Sequence, residues 1–511
     1  MPAAATGSRR KPVSSPPSAL HALRAPEVRL GAAPAPRPLP RVIQGGMGVA
    51  VSSWQLASSV ARAGQLGVVS GTALDLVLAR RLQDGDPDGW CRRALAAFPV
   101  PAVADRALAR FFRPDGRRPG APYVPLPRLA LRQTRASQEL TVLGNFAEVW
   151  LAKDGHDGRV GINYLEKVQM ATPAAAYGAL LAGVDYVLMG AGVPREIPRV
   201  LDLLAKHQPV RLPVHVKGAE EGDYAVDLDP AGLLGEALAP LRRPDLLAIV
   251  SADVLAAYLA RDDRIRPEGF VVEGPTAGGH NAPPRGRTVL DELGQPVFGP
   301  RDQANIAKIA ALGLPFWLAG SFGTPEGLRA AQDLGAAGIQ VGTLFALSSD
   351  SGLTAHLRAD LLDRLRAGTL EVRTDPRASP TGFPFKVAQV PGTLSDPAVS
   401  AARPRLCDLG YLRTPFVREG GAVGYHCPAE PLNTHLRKGG TLEEAEGRAC
   451  LCNALAADVG LGQTRADGYT EVPLLTLGAD LDGPARLSAL RPDGWTADDA
   501  LGWLLDDEPV G

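Results

Sequence analysis

The chain has 511 residues, 45% of them hydrophobic, enough for one large domain with additions or for two or three domains around a sizeable core. Charge is balanced, Lys+Arg 54 against Asp+Glu 55 for a net −1, which gives no electrostatic case for nucleic acid or an anionic membrane as partner. Five cysteines are too few for a disulfide framework, so a reducing cytoplasm is the expected setting, and no apolar run approaches the roughly 20 residues of a membrane helix.

Residues 1–40 are rich in Pro, Ala, Ser and Arg, with Glu27 the sole acid. The prolines would break an amphipathic helix, so this leader reads as a disordered tail rather than an organelle transit peptide. A strand–helix rhythm starts at residue 41. Arg41–Gln44 is a short strand, Gly45-Gly46-Met47-Gly48 a tight turn, and Ser52 or Ser53 caps a helix from Trp54 to Ala63. Leu66–Val69 is the next strand. Residues 72–158 interrupt the rhythm with helices at Leu74–Leu82 and Trp90–Phe98 and a Pro-, Gly- and Arg-rich loop at Arg113–Pro127. Strand Val160–Tyr164, a helix opened by Thr172-Pro173, strand Tyr186–Met189 and a helix over Arg195–His207 follow. A second interruption, 210–244, carries a short excursion at Val214–Lys217. Strand Leu246–Val250, helix Ala252–Ala260 and strand Phe270–Val272 come next, then a long loop to Asp302, which is expected to cap the helix Gln303–Leu312. Pro315–Ala319 and Ile339–Val341 are the last two strands, with a helix from Thr324-Pro325 between them and a closing helix over Leu353–Ala367.

That makes eight strands, most of them unbroken apolar runs, as strands buried on both faces of a parallel sheet read. Eight β/α units predict an α/β fold, a (β/α)8 barrel over 41–367 with two insertions, and 368–511 as an extension packed on it. An open doubly wound sheet would carry its glycine fingerprint once, after the first strand. Here small-residue turns follow strands one, four, six, seven and eight, which suggests one ligand across the mouth of a barrel.

Several strand ends carry chemistry. Gly320-Ser321 and Gln340-Val341-Gly342-Thr343 follow the seventh and eighth strands, where barrels often hold a phosphate with loop N–H groups. Ala277-Gly278-Gly279 presents His280 just past the sixth strand. Gly45–Gly48 offers bare backbone for a flat ring system, and Asn163 offers an amide. Cys407, Cys427, Cys450 and Cys452, with Cys91 apart, read as buried reduced thiols, and no metal site is expected. Arg285 and Arg287 read as solvated loop charges, His215 and Lys217 as surface residues, and Trp54, Trp150 and Trp317 as core.

Val42–Gly48, Gly161-Ile162-Asn163, Glu273–Asn281 and Gln340–Thr343, in that order, resemble the nitronate monooxygenase (2-nitropropane dioxygenase) family of FMN-dependent barrels. The resemblance covers roughly residues 38–370. Longer members share a stretch like Ser379–Phe385, and FMN-dependent enoyl-ACP reductases share the core. The resemblance implies FMN, its phosphate near Gly320, Ser321, Gly342 and Thr343 and its ring near Gly46, Met47, Asn163 and Gly279, with His280 as the active-site histidine. Where shorter members often carry Gln, seven residues before that histidine, this chain has Glu273, which would accept where an amide donates. The implied activity is oxidation of a small nitronate with O2. The alternative on the same fold is NAD(P)H-dependent reduction of enones, quinones or enoyl-thioesters. Oligomeric state stays open.

Overall fold

The structure, a computed structural model, describes residues 38–235 and 238–506. The leader expected to be disordered lies outside these residues except for its last three positions. Among the described residues up to 368 there are ten strands: β1 (Val42–Gln44), β2 (Leu66–Ser70), β3 (Val160–Leu165), β4 (Tyr186–Gly190), β5 (Val210–Pro213), β6 (Ala225–Leu228), β7 (Asp245–Val250), β8 (Gly269–Glu273), β9 (Phe316–Ala319) and β10 (Gly338–Val341). Eight of them close into a parallel barrel in the order β1-β2-β3-β4-β7-β8-β9-β10. The ring shuts where Val42 pairs with Ile339 and Gln44 with Val341. This is the (β/α)8 barrel that the eight apolar runs predicted.

The strands read as continuous apolar runs because both faces are covered. Ile43, Leu66, Val68, Leu188, Leu247, Val271 and Trp317 fill the interior, while Val42, Phe270, Leu318 and Ile339 pack outward on helices. Trp317 is fully buried and donates its indole N–H to the Pro40 carbonyl at 2.8 Å, which satisfies the one polar atom of this side chain and closes the floor.

Three expectations need correction, and one alternative is resolved. The insertion after β2 contains two helices that the sequence did not suggest, Pro101–Phe111 and the 19-residue Arg135–Lys153. The second is buried nearly all round, and its polar residues Glu139, Thr141, Asn145 and Glu148 blur any apolar stripe. Those polar groups are satisfied: Glu148 accepts from Trp54 N–H at 2.9 Å and from Arg81 at 2.8 Å. The excursion strand is Val210–Pro213, paired with β6, and ends before His215 and Lys217. Asn305, not Asp302, caps the helix Ile306–Ala310; Asp302 instead accepts from Arg285 N and Gly299 N. Ser53 caps the first helix, whereas Ser52 points inward.

Beyond residue 368 two antiparallel hairpins form, β11 (Val372–Asp375) with β12 (Phe385–Ala388), and β13 (Thr414–Val417) with β14 (Val423–His426). Helices Asp482–Leu490 and Ala497–Leu505 lay Leu487, Leu501 and Leu504 into the apolar cluster that holds Leu344 and Leu361. Trp495 in the same cluster donates to the Leu344 carbonyl at 2.8 Å. Among the described residues no helix is long and apolar enough to cross a membrane.

Candidate active site

The carboxyl ends of the barrel strands surround one cavity with three adjoining lobes. Gln44 sets its first wall. Its side chain is fully buried; Nε2 donates to the Gly45 carbonyl and to Ser52 Oγ, and Oε1 accepts from Val68 N–H at 3.0 Å. Ser52 Oγ in turn accepts from Met47 N–H and donates to the Gly45 carbonyl, both at 2.9 Å. The turn Gly45–Gly48 is thus held from beneath by two residues that sequence reasoning had given no such task.

All the residues singled out for a cofactor line the first two lobes. The first, about 170 Å³, is bounded by Gly45, Gly46, Met47, Gly48, Glu273, Gly278, Gly279, Gly320, Ser321, Gln340, Val341, Gly342 and Thr343. The second, about 160 Å³, shares Gly46, Glu273, Gly278, Gly279 and Gln340 and adds Asn163 and His280. Gly46 is the hinge between them. A Cβ there would stand 2.3 Å from Asn163 Cβ, so no larger residue fits without displacing the amide. After β9, Gly320 and Ser321 both take left-handed backbone, φ +84 and +61, and Ser321 Oγ donates to Thr276 Oγ1 at 2.9 Å. A non-glycine residue held in that region marks a locally strained turn of the kind that clusters at ligand sites.

The region after residue 368 supplies the opposite wall. Thr476 Oγ1 accepts from Gly279 N–H at 2.9 Å, Thr343 Oγ1 accepts from Gly478 N–H at 2.9 Å, and Lys386 N–H donates to the Gly279 carbonyl at 2.9 Å. His280 is gripped from the same side. Its Nε2 lies 2.7 Å from Ser379 Oγ, which is itself 2.8 Å from Thr381 Oγ1, and its ring meets Phe385 edge-on with centroids 4.8 Å apart. Ser379, Phe385 and Thr476 were not legible as site residues. The only sequence signal was the Ser379–Phe385 stretch, which has no spacing relation to His280.

The third lobe, about 980 Å³, opens beside His280 and Glu273 and runs past Glu166, Lys167, Arg195, His215, Tyr258 and Phe383. Glu273 borders all three lobes. It and His280 are half-buried, and both border the cavity. Burial pushes the Glu273 carboxyl up to about 7. Burial, with the Lys167 charge second, pulls the His280 imidazole down to about 4, so the ring is neutral near pH 7. Arg285 reaches away to the Ser251 carbonyl and Arg287 is exposed; neither borders these lobes. Trp54 and Trp150, expected in the core, are only partly buried and pack against the edge of the apolar cluster that includes the insertion.

The cavity fits a flat ring that carries a hydrogen-bond donor, on two observations. Gln340 Oε1, on the wall between the first two lobes, is buried and has no hydrogen-bond partner. The glycine-faced seam at Gly45, Gly46, Gly278 and Gly279 keeps space that side chains would otherwise fill. Leaving a buried acceptor unpaired costs about 1–3 kcal/mol, which a bound donor would recover.

Residues 241–376 match the family described as nitronate monooxygenase, so the resemblance read from the motifs holds over the second half of the barrel, β7 to β10, and on through β11. A nitronate monooxygenase from Pseudomonas aeruginosa is 30% identical over 204 residues, which span 39% of this chain and 51% of that relative, about half its length. Among solved structures, FabK from Thermotoga maritima aligns at 15% identity and TM-score 0.43, over 91% of each chain. A nitroalkane oxidase from Streptomyces ansochromogenes aligns at 14% and 0.42, over 91% of this chain and 96% of the other. At these values neither structural likeness bears on function.

Proposed function

We propose, from a barrel that carries a nitronate monooxygenase domain, that the chain is an FMN-dependent oxidoreductase that oxidises alkyl nitronates with O2 to a carbonyl compound and nitrite. The observation that carries this reading is the convergence of four separate glycine-bearing strand ends on one cavity, with His280 on its rim and an unpaired Gln340 oxygen in its wall. Gly320, Ser321, Gly342 and Thr343 would hold the phosphate, and Gly46, Met47, Asn163 and Gly279 would border the ring. FMN, when bound, supplies the electron-accepting chemistry.

His280 does the acid–base work. A neutral imidazole can take a proton from the carbon of a nitroalkane, or donate from one nitrogen to a nitronate oxygen, and a ring already neutral needs no deprotonation first. Ser379 holds one ring nitrogen, so the other is left for the substrate. Glu273, protonated below about pH 7, can donate a hydrogen bond as a glutamine would. Purified His280→Ala should keep its flavin and lose about 10²–10⁴-fold in turnover; full activity removes the assignment.

A second reading, NAD(P)H-dependent reduction of enones, quinones or enoyl-thioesters, is favoured by the third lobe, whose 980 Å³ exceeds what a small nitronate fills. Anaerobic bleaching separates the two. A flavin bleached by nitronate but not by NAD(P)H supports the first; the reverse supports the second.

A further inference from the structure

Residues 403–452 are anchored in neighbouring apolar clusters through Leu409, Tyr411 and Leu451, but have little apolar core of their own. Strands β13 and β14 have four residues each, and the helices Leu432–Arg437 and Leu442–Ala445 have six and four. The apolar cluster at their centre is Cys427, Ala429 and Cys450, with Cys452 packed against it. So small a cluster offsets little of the ordering entropy, and segments of this kind are normally stapled by a disulfide or a metal. All five cysteines are free thiols.

Four of those thiols converge. Cys407, ahead of β13, Cys427, just after β14, and Cys450 and Cys452, at the start of helix Leu451–Ala457, line one enclosed space of about 10 Å³. That is room for about one atom-sized guest. A donor already serves one sulfur: Asn453 Nδ2 donates to Cys450 Sγ at 3.6 Å. An N–H aimed at sulfur is the usual outer partner of a thiolate–metal centre.

Charge makes the same point independently. Arg405 is spent on the carbonyls of Pro428, Glu430 and Ala445, and Arg413 on those of Gly410 and Leu129. Among the described residues neither forms a salt bridge, although the Glu430 carboxylate is near enough to Arg413 to act on its charge. A partly buried cation without a paired carboxylate, as Arg405 is, is costly. Four thiolates around a divalent ion carry a net negative charge and would supply the counter-charge.

We infer that Cys407, Cys427, Cys450 and Cys452 hold a single thiophilic divalent cation, zinc or iron, that staples this segment beside the barrel mouth. In the present rotamers no three His, Cys, Asp or Glu side chains among the described residues are grouped so as to hold a metal ion. Loading therefore turns the thiols inward and releases their protons. The site adjoins the cavity described above, because Cys452 also lines the lobe that contains His280.

The test uses the full chain, purified without a polyhistidine tag and dialysed against a weak chelator, then assayed for metals and acid-labile sulfide. About one zinc or iron per chain without sulfide is expected, the stoichiometry of a closed tetrathiolate site. Occupancy should fall at least about tenfold in Cys427→Ser and Cys450→Ser and stay unchanged in Cys91→Ser. A metal-free wild type, equal metal in the serine variants, or several irons with sulfide overturns the inference. If the serine variants do not fold, the wild type titrated with a mercurial decides: metal must leave as the thiols react, and metal that stays overturns the inference equally.

Discussion

Ser379 shows how a single hydroxyl can set what a histidine does. It is fully buried, and its oxygen ties His280 Nε2 on one side and Thr381 Oγ1 on the other. Ser379→Ala removes the hydroxyl that pairs with that nitrogen, at about 1–3 kcal/mol. Turnover should drop about tenfold or more, with flavin content and KM nearly unchanged; steady-state kinetics beside an absorption spectrum would check it. A shift in the pH profile would mark a positioning role, since a purely structural loss would lower activity equally at all pH. Glu273 makes a second prediction at this scale. Its carboxyl titrates near 7 in the folded protein against an unfolded value near 4.5, so the folded state binds the extra proton between these limits and stability falls as pH rises through them. Glu273→Gln carries no such liability. The melting temperatures of variant and wild type should be close at pH 4.5, diverge in favour of the variant up to about pH 7, and then run parallel.

Elements explain what was legible and what was not. Each of the eight barrel strands is buried on both faces, and a run such as Phe270–Val272 or Leu246–Val250 shows that directly in its residue types. The glycines at the strand ends were legible for the same reason, because backbone must approach backbone there. The helix Arg135–Lys153 was not, since Glu139, Asn145 and Glu148 are buried through partners up to 94 residues away. The wall made by Ser379, Phe385 and Thr476 escaped on similar grounds: contact with His280 or Gly279 is a tertiary fact with no local spacing to announce it. Strand packing also yields a test. Gly46→Val would drive its side chain into Asn163 at the seam between the two smaller lobes. The variant should fold, because the seam borders open space, yet fail to retain flavin through purification; a yellow variant at full stoichiometry would mean that the ring lies elsewhere.

At the scale of the molecule, the barrel and the residues beyond 368 share one apolar cluster, with Trp495, Leu487 and Leu501 lying among Leu344, Leu361 and Phe345. A chain ended after Gly368 would bare that face and lose Thr476, Ser379 and Phe385 from the site. It should accumulate as aggregate, and any soluble fraction should lack flavin, as gel filtration with absorbance at two wavelengths would show. The position of Thr476 and Gly478 has a further consequence for how the protein is made. Translation delivers β1 early and β10 late, so the ring cannot shut until most of the polypeptide has left the ribosome. The last piece of the cavity rim, with Gly478 135 residues beyond Thr343, has not yet been made when β10 can first pair. Whatever the cavity holds must therefore be captured at the end of synthesis, and a nascent chain stalled before residue 476 would be a barrel without a complete mouth.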